Sequence, residues 1–213
     1  MHRIGAENWP KKLAGESVRK LERKMFIQTQ DTPNPATLKF LPGREVMAEG
    51  LPPMEVGRGE GAEHLPLAGV LFSIPNIERV FFGSDFISVT RSGDADWPHL
   101  KPAILGAIMD FYVGGGGIIT DDGTQVEEEV YEGEVLEIVN QIKELIDTRV
   151  RPAVAQDGGD ILFRRFDIDS GAVFLQMKGA CAGCPSSSMT LKSGVENLLK
   201  HYVPEVTRVE EAF

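Results

Sequence analysis

Both cysteines of this 213-residue chain lie in one short motif, which constrains the fold on either side of it. The run from Gly179 to Ser188 reads GACAGCPSSS, with an alternating apolar pattern before it and a helical pattern after it. Pro185 suits the first position of a helix, where a missing N–H costs nothing, so Cys184 is predicted to cap that helix. The unpaired N–H groups and the positive end of the helix dipole favour a thiolate there. The motif therefore predicts a strand–turn–helix junction that presents two sulfur ligands.

Cys181 and Cys184 form a C-x-x-C motif, which has three chemical interpretations. Two such thiolates cannot complete a four-ligand zinc site, and His201 lies seventeen residues beyond Cys184. Two chains related by a two-fold axis would supply four thiolates, enough for an iron–sulfur cluster or a metal ion. The spacing also leaves open a redox-active dithiol pair and an inert structural pair. The chain before Cys181 has the pattern of a hairpin and not of a βαβ unit, which favours cluster or metal binding over thioredoxin-like chemistry.

The composition is typical of a globular protein in a reducing compartment. Hydrophobic residues make up 42% of the chain and charged residues 25%, and its length suits one large or two small domains. One pair of cysteines provides no framework of disulfides. No apolar run approaches the roughly 20 residues of a membrane span, and the net charge of −10 disfavours binding to a phosphate backbone. We therefore expect neither a membrane nor a nucleic acid as a partner.

Four segments are predicted along the chain. Residues 1–24 form a basic leader that lacks the apolar region of a secretory signal and is a poor mitochondrial presequence, so we expect a disordered or non-native tail. Residues 25–113 are predicted to form an N-terminal domain, 114–132 a Gly-rich acidic linker, and 133–213 a C-terminal domain. Surplus carboxylates in the C-terminal part are explained most simply by solubility, ahead of steering towards basic partners.

The N-terminal domain has a mixed pattern of strands and helices. Strand patterns at 26–30 and 37–41 flank a Thr-Pro-Asn-Pro turn, and those at 77–82 and 86–90 predict a second hairpin. The remaining predictions are a mobile loop from Glu49 to Glu63, a short helix over 65–74, and a longer helix from Trp97 with Asp96 as its cap.

Three polar residues near the first hairpin, Asn34, Thr37 and Lys39, could form a binding surface. Turn formation and solvation of a strand explain them as well, and we prefer that simpler interpretation.

The C-terminal domain has the order α-β-β-α-β, a two-layer sandwich. Apolar residues at three- and four-residue steps predict a helix from about Val135 to near Pro152. Residues 161–166 and 172–178 predict a hairpin, and residues 206–209 an edge strand. In the hairpin, Val173, Leu175 and Met177 alternate onto one face. A second helix, which stops before Pro204, is predicted from the spacing of Leu191, Val195, Leu198, Leu199 and Tyr202. The fold class is therefore α/β (α+β), with two small domains.

Two motifs in this chain resemble those of one protein family. Arg151-Pro152, then Asp157-Gly158-Gly159-Asp160-Ile161, then the cysteine motif and SMTLKSGVE after it are similar to the NifU-type domain of Nfu iron–sulfur scaffold and carrier proteins. The run MFIQTQDTPNPATLKFLPG, from Met25 to Gly43, resembles the opening of the N-terminal domain of mitochondrial and bacterial Nfu proteins. Together the two resemblances cover nearly all of residues 25 to 213.

The resemblance implies a [4Fe-4S] cluster bridged between two subunits by Cys181 and Cys184 of each, and passed on to apo-proteins. It further implies upstream cluster donors as partners and a homodimer in the loaded state. We expect no enzymatic activity, because no catalytic grouping or nucleotide loop is found. A dithiol/disulfide oxidoreductase and a zinc-bridged dimer are the alternatives. A bacterial cytoplasm is the expected compartment, with the mitochondrial matrix as the alternative.

Overall fold

The structure is a computed structural model that describes residues 26–60, 65–93, 95–120, 131–182 and 185–212. It contains two hydrophobic cores, one in the N-terminal part and one in the C-terminal part. Both parts combine helices with a sheet, which confirms the predicted α+β class. The predicted leader and Cys184 lie outside the described residues. None of the described helices combines the length and the apolar content that a membrane crossing would require.

The N-terminal domain contains a five-stranded antiparallel sheet with the strand order β1-β2-β5-β4-β3. The two predicted hairpins are confirmed as the pairs β1–β2 and β4–β5. The strands are β1 Gln28–Asp31, β2 Thr37–Leu41, β3 Met54–Gly57, β4 Ile77–Phe82 and β5 Ile87–Arg91.

Two helices contribute to the N-terminal core with one face of this sheet. They are α1, Pro66–Phe72, and α2, Trp97–Val113, and both were predicted. Leu71 of α1 and Ile104 of α2 belong to the same core as Phe40 of β2. Because side chains alternate along a strand, the residues next to these core positions lie on the opposite, outer face of the sheet.

Strand β3 corrects the prediction of a loop from Glu49 to Glu63. Met54 and Val56 are buried in the N-terminal core and pair with Phe82 and Val80 of β4. The alternation of apolar side chains extends over only two positions, so this short edge strand was hidden in a polar, Gly-rich stretch.

The two ends of α2 differ in detail from the predictions. Asp96 occupies the N-cap position, but its side chain makes no capping hydrogen bond. Beyond the helix, Ile119 forms a bridge with Met47, so part of the predicted linker is bound to the N-terminal domain.

The first helical segment of the C-terminal domain has three parts. Helix α3, Gly133–Leu145, passes through a π-helical turn, Ile146–Val150, into α4, Arg151–Gln156. Pro152 lacks the N–H that would continue the α-helical hydrogen bonds, which accounts for a change of helix type just before it.

The C-terminal sheet has the order β6-β7-β8, with β6 and β7 antiparallel and β7 and β8 parallel. The strands are β6 Gly159–Asp167, β7 Ala172–Gly179 and β8 Arg208–Glu211, and helix α5, Pro185–Tyr202, connects β7 to β8. Val173, Leu175 and Met177 of β7 are buried, which confirms their predicted alternation onto one face. Tyr202 is the last residue of α5, in line with a helix that stops before Pro204; its side chain is exposed, and its ring lies 4.9 Å from the Arg149 guanidinium.

Candidate functional site

The turn that carries Cys181 follows β7 directly. Gly179, the last residue of β7, has a φ of +66°, in the left-handed region that disfavours a side chain. The Ala182 N–H donates to the Gly179 carbonyl oxygen at 3.1 Å, and the Ala180 N–H donates to the Gly158 carbonyl oxygen at 3.1 Å. These bonds hold the turn against the start of β6.

The Cys181 sulfur packs on the backbone of Gly159. A Cβ at Gly159 would lie 2.7 Å from this sulfur and 2.6 Å from the Lys178 carbonyl oxygen, so only glycine fits there. Cys181 itself is 7% exposed and belongs to the C-terminal core. The glycines around the cysteine therefore permit a close approach of backbone and sulfur.

A buried ion pair fixes the beginning of β6. Asp160 is 3% exposed and accepts hydrogen bonds from Arg151 Nε at 2.9 Å and from Arg151 Nη2 at 3.0 Å. Arg151 also donates to the exposed Asp147 at 3.0 Å. The hydrogen bond to Asp160 is the main reason that the pKa of Arg151 is raised. This bidentate ion pair joins α4 to β6, the strand whose first residue, Gly159, lies against the Cys181 sulfur.

A row of side chains on the outer face of the N-terminal sheet meets this turn. The strand register pairs Lys39 with Ser88, Ser88 with Phe81, and Phe81 with Glu55. We call these four residues the cross-strand row. Phe81 is 1% exposed although it is not part of the N-terminal core. It is covered instead by the C-terminal domain, because β4 and β5 contact β7.

The N-terminal domain binds both ends of the cysteine turn. Glu55 Oε1 accepts a hydrogen bond from the Gly179 N–H at 3.0 Å. The side-chain amide of Asn34, in the turn between β1 and β2, donates to the Ala182 carbonyl oxygen at 3.4 Å. Burial is the main cause that raises the pKa of Glu55, against the opposing effects of Arg79 and of the Gly179 N–H.

The other half of the row binds the backbone that leads into β6. The Ser88 hydroxyl donates to the Gly158 carbonyl oxygen at 2.6 Å. Lys39 Nζ donates to the carbonyl oxygens of Ala155 at 2.8 Å and Gln156 at 3.3 Å, at the C-terminal end of α4. Carbonyls at a helix C-terminus attract a cation, which offsets part of the cost of burying Lys39. Burial nevertheless lowers the pKa of Lys39, while Asp85 and Asp157 act in the opposite direction.

Both parts of this chain match known protein families. The family model "Scaffold protein Nfu/NifU N terminal" matches residues 27–115, and "NifU-like domain" matches residues 142–210. "NifU-like protein 4, mitochondrial" of Arabidopsis thaliana is 50% identical over 192 residues, which are 90% of this chain and 67% of that protein. The chain belongs to the Nfu family of NifU-like proteins. The resemblance of its two motifs to this family is thereby confirmed.

Other relatives of this Nfu chain have similar names. "NifU-like protein 5, mitochondrial" of Arabidopsis thaliana is 50% identical over 90% of this chain and 69% of its own length. "NFU1 iron-sulfur cluster scaffold homolog, mitochondrial" of Drosophila sechellia is 46% identical over 90% of this chain and 66% of its own length. The Nfu chain thus spans about two thirds of the length of these relatives. Their names support the mitochondrial alternative, and the expected bacterial cytoplasm finds no support in them.

Two solved structures are more distantly similar to this Nfu chain. A NifU-like protein from Saccharomyces cerevisiae, solved by NMR, has 23% identity and a TM-score of 0.42, covering 56% of this chain and 94% of its own. Protein SAV1430 from Staphylococcus aureus, solved by X-ray crystallography, has 24% identity and a TM-score of 0.32, covering 39% of this chain and 99% of its own.

One of the two predicted ligands of the Nfu chain lies among the described residues. Cys181 lies in the turn after β7, and Cys184 lies outside the described residues. The helix that follows begins at Pro185, as predicted. Within the described part of the chain, no group of three or more His, Cys, Asp or Glu residues could hold a metal ion.

The polar contacts to the turn were largely missed. Lys39 is buried and binds the C-terminal domain, so its interpretation as a solvated strand residue is wrong. Asn34 does form the turn, because its Oδ1 accepts a hydrogen bond from the Ala36 N–H at 3.0 Å, but its side-chain amide also binds the C-terminal domain. Thr37 instead shares a hydrogen bond with Thr90 at 2.8 Å. Glu55 and Ser88 carried no motif. Strand alternation could have placed Lys39 on the outer face, but nothing in the sequence indicates what covers that face.

Proposed function

We propose that this Nfu-family protein takes part in iron–sulfur cluster assembly as a carrier that binds a [4Fe-4S] cluster between two copies of the chain. Cys181 and Cys184 of each copy would supply the thiolates, and the cluster would be delivered to apo-proteins. Support comes from relatives at 46–50% identity, some of which are named iron–sulfur cluster scaffolds. The cluster is cargo here, received from an upstream donor and released to a client.

The observation that carries this proposal is the setting of Cys181. Its sulfur lies against the backbone of Gly159, and the residue itself is only four positions before Pro185, where the next helix begins. A thiolate near a helix N-terminus is stabilised by the unpaired N–H groups there. A cluster with four iron atoms calls for four thiolates, and one chain has two cysteines, so a second copy must supply the rest.

A site shared between chains suits transfer. Separation of the two copies removes half of the ligands at once, so the cargo leaves more easily than from a site enclosed by one chain. We propose that the protein has no turnover chemistry of its own and that its role is to hold and hand over the cluster. The mitochondrial matrix is the proposed compartment, in line with the names of the relatives.

Anaerobic reconstitution of the full chain tests this function. We expect about four iron and four acid-labile sulfide per pair of chains, together with a change from monomer to dimer on loading. Cys181→Ala and Cys184→Ala should each abolish the loading, whereas Ser193→Ala, an exposed change on α5, should leave it intact.

The two alternatives give different results in the same experiment. A zinc-bridged dimer would be colourless and hold about one zinc per two chains. A dithiol oxidoreductase would hold little iron and would reduce disulfides efficiently. A loaded species that is monomeric, or that keeps its iron without both cysteines, would contradict the proposal.

A further inference from the structure

Several side chains on the outer face of the N-terminal sheet are buried. Lys39 is 6% exposed, Ser88 1% and Phe81 1%, although none of them packs in the N-terminal core. Polar groups buried in this way are costly unless they are hydrogen-bonded. Lys39 and Ser88 find their partners in the C-terminal domain, on the carbonyl oxygens at the end of α4 and before β6. The sheet face and the backbone around the cysteine turn therefore complement each other.

In this docked arrangement Cys181 is withheld from a second chain. Glu55 holds the amide at one end of its turn and Asn34 holds the carbonyl at the other. Phe81 lies against the same turn, because a Cβ at Gly179 would come within 3.0 Å of its ring. A second copy that approached to share a cluster would meet the N-terminal domain beside the turn. Cys181 is only 7% exposed in this arrangement, so its sulfur is not presented to that copy.

We propose that the cross-strand row and Asn34 form a docking surface for the chain's own cysteine turn, and that this contact must open before two chains can share a cluster. The inference rests on the proposed function for its second half, since it takes Cys181 to be a cluster ligand. The closed, undimerised chain would protect its thiols from oxidation and wrong metals. Opening would also expose the outer face of the N-terminal sheet when the cluster is loaded.

The first test measures the opening without any cluster. In the full chain carrying Cys184→Ala, the rate at which N-ethylmaleimide alkylates Cys181 reports how often the turn is accessible. Lys39→Met combined with Ser88→Ala removes two donors of the docking surface and keeps the bulk of the lysine stem. We expect alkylation about tenfold faster than in the parent chain, from the loss of hydrogen bonds that include a charged donor.

Matched controls separate docking from general destabilisation. Lys101→Met with Ser73→Ala makes the same changes elsewhere on the N-terminal domain and should leave the alkylation rate unchanged. Should the double variant fold poorly, Asn34→Asp offers a second route, because it replaces the amide donor facing the Ala182 carbonyl by an oxygen. Asn140→Asp, an exposed change on α3, is its control.

The second test measures cluster loading in chains that keep both cysteines. The docking variants should load their cluster and dimerise about tenfold faster than the controls, from the same loss of hydrogen bonds. Unchanged alkylation with normal loading would overturn the docking proposal alone. Faster alkylation with slower loading would also overturn it, because the contact would then organise the turn for binding. Failure of the parent chain to load any cluster would contradict the proposed function, whatever the alkylation rates.

Discussion

At the scale of single residues, the position of the Cys181 sulfur depends on the glycines beneath it. Gly179 has a left-handed backbone, and a Cβ there would lie 2.7 Å from the Gly158 carbonyl oxygen. Gly179→Ala should therefore lower the free energy of unfolding by about 1–3 kcal/mol, from conformational strain and overpacking. Chemical denaturation measures the change. Gly194→Ala, in open space on α5, should instead stabilise the chain by about 0.5–1 kcal/mol; equal effects of the two changes would contradict this account.

Arg151 allows a comparison of two carboxylates that bind the same guanidinium. Asp160→Asn should destabilise the chain by about 3 kcal/mol, because it breaks a buried pair and leaves Arg151 without its main partner. Asp147→Asn removes an exposed partner and should cost about 0.5 kcal/mol or less. Thermal and chemical denaturation of both variants check the difference. Similar losses would mean that burial does not set the strength of the pair.

At this scale the turn that carries Cys181 could be predicted from the sequence, but the residues that support it could not. Cys181 and Pro185 could be placed because their chemistry and spacing are local. Glu55 and Ser88 could not, because they bind main-chain atoms more than sixty residues away. A backbone amide or carbonyl has no identity in the sequence, so such a contact leaves no pattern to read.

At the scale of elements, Glu196 joins α5 to the edge strand β8. Its carboxylate accepts hydrogen bonds from Lys200 at 2.6 Å and from the Val209 N–H at 3.0 Å. These contacts lower the pKa of Glu196, and the hydrogen bond from Lys200 has the largest effect. The stabilisation is therefore complete above the ordinary pKa of about 4.3 and is lost as the pH falls through the lowered value.

The variant Glu196→Gln tests this link. It keeps an acceptor for Val209 but loses the ion pair, and should cost about 0.5 kcal/mol at neutral pH. The difference from the parent chain should vanish in acid, as denaturation curves between pH 7 and pH 3 would reveal. Glu205→Gln, an exposed change nearby, should have no effect at either pH. A difference that grows in acid would show that the sign is wrong.

Long periodic elements were predictable, whereas short edge strands were not. The hairpins β1–β2, β4–β5 and β6–β7 and helices α2 and α5 follow from alternation and from three- and four-residue steps. β3 has two buried apolar side chains and lies in a polar stretch, so its pairing with β4 decides its conformation. The π-helical turn before Arg151 was also missed, because Pro152 marks where the α-helical hydrogen bonds stop but not which helix type precedes it.

At the scale of the whole molecule, the two domains should stabilise each other through the docked face. In Lys39→Met with Ser88→Ala, we expect amide hydrogens of β6 and β7 to exchange about fivefold to tenfold faster, because fewer contacts oppose their local opening. Hydrogen exchange with mass spectrometry measures this. The pair Lys101→Met and Ser73→Ala should exchange like the parent chain. Equal exchange in all three proteins would mean that the domains are energetically independent.

Five hydrogen bonds from the N-terminal domain to the described part of this region end on main-chain atoms, at Ala155, Gln156, Gly158, Gly179 and Ala182. Such bonds recognise the path of a backbone and are indifferent to the side chains along it. The N-terminal domain thus recognises the backbone conformation of this region. A hybrid protein that joined this sheet to a relative's C-terminal domain would keep its fit wherever the glycines allowed the loop to follow the same course.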